Sequence, residues 1–181
     1  MSLVELIAQA DERGLAASGL ACLDRCVPLL GGDDLVLRPL WTSLADGSGW
    51  GAGLEQARDA LDTGEAEAEL LARRMLDGAP ADRAPDEMRR WADACSVASL
   101  HIHRLLDPAE DPAPAAVVDS RREGGAEDMS PLVAAELRRQ VTVLELVAGH
   151  GAAGLRHALD VSTEGRRVLR AVVSRRARGR G

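Results

Sequence analysis

The sequence predicts an all-α fold, an irregular bundle of about seven or eight short helices in a single domain spanning residues 1–181. Three observations carry that prediction. The apolar residues, 46% of the chain, are mainly Leu, Val and Ala, while Phe and Tyr are absent and isoleucine occurs only as Ile7 and Ile102. Leu and Ala rank high in helix propensity, and the aromatic and β-branched residues that favour strands are scarce. One long segment, from Pro85 to Asp107, places Met88, Trp91, Cys95, Ala98, Ile102 and Leu105 at steps of three and four, the period of one helix face. Capping and breaking residues recur between such segments.

Taken in order, Ser2 and Glu5 form a capping-box pattern, which predicts a first helix running to about Arg13 before Gly14. Leu15 to Val27 reads as a second helix that ends near Pro28. The turn Gly31-Gly32-Asp33-Asp34 then precedes a helix over about 35–46. Gly47 to Gly53 reads as a flexible glycine loop carrying Trp50, followed by a helical stretch through Leu54, Ala57 and Leu61. Thr63 is a candidate cap for a helix over 64–77, with glutamates early and Arg73 and Arg74 late, as the helix dipole favours.

A linker from Gly78 to Ala84 leads to the segment from Pro85, read as the central helix of the domain. Pro85 suits a first helical turn, Asp86 and Glu87 favour its N-terminus, and Pro108 stops it. Residues 108–129, with three prolines, paired glycines and mostly acidic charge, read as a long mobile loop. Ser130-Pro131 starts a helix whose stripe is Val133, Leu137, Val141, Leu144 and Ala148. After Gly149-His150-Gly151, a short helix over 152–159 and a last one over about 163–176 follow, with a frayed basic tail at 177–181.

Charge and cysteine content narrow the function. Net charge is −7, yet seven arginines and no acid lie beyond Glu164, which leaves −14 on residues 1–164. An acidic body disfavours non-specific nucleic-acid binding. The absence of Lys, Asn, Phe and Tyr matches a GC-rich bacterial genome. Three cysteines without a secretion-type leader predict free thiols and a cytoplasmic location. No stretch approaches the ~20 apolar residues of a membrane span.

No set of residues specifies a reaction. Val143 to Gly151 resembles, over nine residues, the strand and glycine loop of S-adenosylmethionine-dependent methyltransferases. Val147 replaces a glycine of that pattern, too few residues follow to complete the sheet, and helical periodicity runs through the segment, so it reads as a helix ending at glycine. The glycines of 47–53 are spaced by two, which fails the dinucleotide-binding pattern. Cys22 and Cys26 lie one turn apart, with Cys95 a third thiol, but lack the paired spacing of structural zinc and read as small buried hydrophobes. His101 and His103 point about 200° apart on a helix and cannot share a metal, while His103 and Asp107 share a face. No cofactor and no metal site are expected.

The expected function is therefore a non-enzymatic cytoplasmic helical protein that mediates protein–protein interaction or regulation. Trp50 is the candidate anchor if exposed, although tucking into the core is favoured. The runner-up is a nucleic-acid-binding regulator: residues 152–176 resemble a helix-turn-helix that breaks at Asp160-Val161-Ser162 and offers Arg166, Arg167 and Arg170 to phosphates or bases. A third class is a ligand-binding or enzymatic bundle with a pocket near Cys95, Ser99 and His101.

Overall fold

A computed structural model describes residues 1–107, 116–124 and 129–179, and in Ala116 and Val117 the backbone alone. The described residues are helical throughout, joined by turns and short irregular segments: α1 (Leu3–Gln9), α2 (Glu12–Cys26), α3 (Arg38–Asp46), α4 (Trp50–Ala60), α5 (Glu67–Asp77), α6 (Pro85–Leu106), α7 (Ala116–Arg122), α8 (Pro131–His150) and α9 (Gly154–Gly179). Short 3-10 turns follow α2 and α8. The fold is an all-α irregular bundle.

Local chemistry sets the boundaries. Ser2 accepts from the Glu5 amide and Glu5 accepts from the Ser2 amide, closing the capping box of α1. That helix stops at Gln9 rather than near Arg13, because the Asp11 side chain accepts from the Gly14 amide at 2.8 Å and starts α2 early. Pro39 in the first turn begins α3 at Arg38, three residues later than the spacing suggests. Gly47 and Gly49 take left-handed φ values of 82° and 83°, so the loop is only three residues long and Trp50 opens α4. Thr63 caps nothing: α5 begins at Glu67.

The largest departure concerns the centre. The expected central helix, α6, packs between α2, α5 and α8, but α2 is the hub, sealed on every side from Gly14 to Cys26. Its small residues allow this. A Cβ on Gly19 would come within 2.5 Å of the Trp91 ring, so only glycine lets α6 approach so closely. Helices α8 and α9 close the other side of α2. The main apolar core runs through α1 to α6, α8 and α9, and Val118 of α7 packs separately with Leu100 and Val133.

Two C-terminal expectations are corrected. The loop expected over 108–129 contains helix α7, whose Arg121 and Arg122 are buried; the rest of that expectation, at 108–115 and 125–128, lies outside the described residues. There is no turn at Asp160-Val161-Ser162. Residues 154–179 form one continuous helix, which takes in the first three positions of the expected frayed tail. Ser162 packs inside the helix run, and its hydroxyl is satisfied by donating to the Ala158 carbonyl at 2.9 Å.

Candidate functional site

The chemically richest groups of the molecule lie in its interior, between α2, α6, α8 and α9. Arg25 of α2 donates through Nε and Nη2 to both carboxylate oxygens of Glu136 on α8, each at 2.7 Å, and both side chains are fully buried. Ser99 Oγ and Gln140 Nε2 donate to Glu136 Oε1 at 2.8 and 3.0 Å. Ser96 donates to Gln140 Oε1 at 2.6 Å and accepts from Arg122, which also pairs with Asp93. His103 Nδ1 lies 2.7 Å from the Ser99 carbonyl and donates to it, while Nε2 stands 3.5 Å from Glu136 Oε2. A Cβ on Gly165 would fall 2.4 Å from Arg25 Cδ, so that glycine lets α9 cover the pair.

Electrostatics follow from this burial. Desolvation alone would raise the Glu136 pKa; the Arg25 guanidinium, helped by His103 and Gln140, outweighs it and holds the carboxyl down at about 2. Burial lowers the His103 pKa against the pull of Glu136, so the imidazole favours its neutral form. Burial pushes the Cys22 thiol up to about 12 and raises Cys26 and Cys95 as well. Protonated, enclosed thiols are poor nucleophiles and poor metal ligands. Among the described residues no group of three or more His, Cys, Asp or Glu is placed to hold a metal ion.

The residues proposed from sequence scatter. Trp50 is buried: its indole N–H donates to the Pro80 carbonyl at 2.8 Å, and its ring meets Trp91 edge to face at 5.9 Å. Cys95, Ser99 and His101 do not converge on one pocket. Ser99 joins the interior network, Cys95 lies under a surface groove, and His101 is partly exposed beside Glu67 and Arg104.

Arg166 is buried and pairs with Asp24, which also accepts from the Trp41 indole at 2.7 Å. Arg170 pairs with Asp34, whose carboxyl this hydrogen bond holds below its usual pKa. Of the three arginines only Arg167 is exposed. Arg166→Ala strips the cation from a buried carboxylate and should cost about 2–3 kcal/mol, while Arg167→Ala should stay within about 0.5 kcal/mol, both read by chemical denaturation. Equal effects would show that Arg166 is not held inside.

Open to solvent is a groove of about 610 Å³ between α5 and α6. Leu71, Met75, Trp91, Ala94, Cys95 and Ala98 form its apolar surface. Arg74, Arg90 and Glu87 stand along it, all exposed, and among the described residues none of these side chains has a hydrogen-bond or ion-pair partner. No helix among the described residues is long and apolar enough to cross a membrane. No protein-family model, curated protein or solved structure matches the chain.

Proposed function

We propose that this chain is a non-enzymatic protein-interaction module of the bacterial cytoplasm, and that it docks a partner helix in the groove between α5 and α6. The observation that carries the reading is the pairing, in one groove, of an apolar floor with Arg74 and Arg90, two exposed guanidiniums without partners. The small side chains of Ala94 and Ala98 add to an apolar groove of the kind that takes the apolar face of an amphipathic helix. The partner helix carries apolar residues at steps of three and four, flanked by carboxylates opposite the two arginines. Interior commitment of Glu136, His103, Ser99 and the three thiols supports a binding role over a catalytic one. Their free state suits a reducing compartment. The nucleic-acid alternative is weakened by the continuous α9 and by the engagement of Arg166 and Arg170 with aspartates.

The test is a displayed library of amphipathic helical peptides, with apolar positions fixed and polar positions randomised. Selection on the full chain should enrich Asp and Glu beside the apolar stripe, and the Arg74→Glu/Arg90→Glu variant should instead enrich Lys and Arg. Enrichment without that reversal, or none above background, would overturn the reading.

A further inference from the structure

We propose that a second cavity, between α6, α8 and α9, binds a free anionic amphiphile: a carboxylate on an acyl chain. The cavity measures about 610 Å³, within the range that encloses a small ligand. Its walls are Leu106 of α6, Leu132 and Ala135 of α8, and Val168 and Val172 of α9. Apolar side chains alone would suit any oily molecule; the cations beside them select among such molecules. Arg139, Arg175 and Arg176 line the same cavity.

None of these three guanidiniums is in an ion pair among the described residues. Arg175 and Arg176 reach only backbone carbonyls, of Ala171 and Leu105. Arg139 is half-buried, and its Nη1 is enclosed without a hydrogen-bond acceptor. A half-buried guanidinium without an anionic partner gains from any carboxylate that reaches it. Of the acids that act on it, Glu136 is already held by Nε and Nη2 of Arg25, and Glu164 is exposed to solvent. Asp107, also at the cavity, is engaged with another group. A carboxylate entering head-first would pair with the solvent-facing side of the Arg139 guanidinium, which no acid of the described residues occupies. Its chain would then lie along Leu132, Val168 and Val172. A neutral amphiphile would leave the arginines as they are, and a cationic one would be repelled.

This site is separate from the α5–α6 groove and stands or falls independently of it. Calorimetric titration of the full chain with monomeric dodecanoate should give saturable one-to-one binding. Dodecanol and dodecyltrimethylammonium should bind at least tenfold more weakly. Arg139→Gln/Arg175→Gln should weaken dodecanoate at least tenfold and leave dodecanol unchanged. Val172→Trp, which fills the cavity, should abolish binding of both. Because that variant can misfold, a photoreactive diazirine analogue of dodecanoate, used on the unaltered protein, gives a second reading: its label should fall on α8 and α9 beside the cavity. Equal affinity for the three amphiphiles would overturn the assignment, as would labelling elsewhere. So would co-sedimentation with anionic phosphatidylglycerol vesicles without binding of monomeric dodecanoate, since the ligand would then be a membrane surface.

Discussion

Glu136→Ala should destabilise the protein by about 3–5 kcal/mol, because it leaves the Arg25 guanidinium fully buried with its main partner gone. Taking two charges out of water costs several kcal/mol each, and the bidentate contact with its surrounding donors only offsets that cost. Most of the loss is therefore the penalty of a stranded charge. Replacing both partners by apolar residues of similar size, as in Arg25→Met/Glu136→Leu, should restore much of it. Chemical denaturation of the single and double variants checks this; a loss below about 1 kcal/mol for Glu136→Ala would mean that water reaches Arg25.

Acid should act on the same cluster in two stages. His103 has a folded pKa below 6.5, so the unfolded chain takes up the proton first and stability declines as pH falls below about 6.5. Glu136 is held near 2 against 4.5, so its contribution is complete above about 4.5 and is lost as pH falls toward 2. Asp24 works in the opposite sense, since burial raises its pKa despite Arg166 and Trp41.

The interior network explains what the sequence did not disclose. Most helices were legible because periodicity, caps and glycines act locally; α7, inside the expected loop, and the continuity of α9 were not. Nor was facing. The stripe expected on α8 was Val133, Leu137, Val141, Leu144 and Ala148, whereas the buried face is Val133, Glu136, Gln140, Val143, Leu144 and Val147. Glu136 and Gln140 look solvated until Ser96, Ser99 and His103, spaced by three and four on α6, are seen to lie opposite them. A polar stripe matched by a second polar stripe is a signal in hindsight, but pairing them requires knowing which helices meet. The same limit applies to α2, where Asp24 and Arg25 hide a helix buried from Gly14 to Cys26, and to Arg166, whose partner lies 142 positions away in the chain.

Both cavities lie between helices and were likewise invisible to periodicity. The pocket expected near Cys95, Ser99 and His101 came close to one of them through Cys95 alone.

Trp91→Ala should cost about 3–5 kcal/mol, the usual loss for truncating a buried tryptophan. Its side chain is 5% exposed and makes three different contacts. The ring packs against Gly19 of α2, meets Trp50 of α4 edge to face, and its N–H donates to the Met75 carbonyl of α5 at 2.8 Å. One side chain thus ties three helices to α6, and no small neighbour can follow it inward. Trp91→Phe should keep most of the packing and lose about 1 kcal/mol with the hydrogen bond.

Gly19→Ala gives an independent check of the same contact. Its new methyl would sit 2.5 Å from the ring, so the change should cost about 1–3 kcal/mol by overpacking. In the Trp91→Ala background that penalty should vanish, because the methyl then enters the space the indole has left. Denaturation of the four proteins measures the coupling. Additive losses would mean that Gly19 and Trp91 do not touch, and the close approach of α2 and α6 would have to be abandoned.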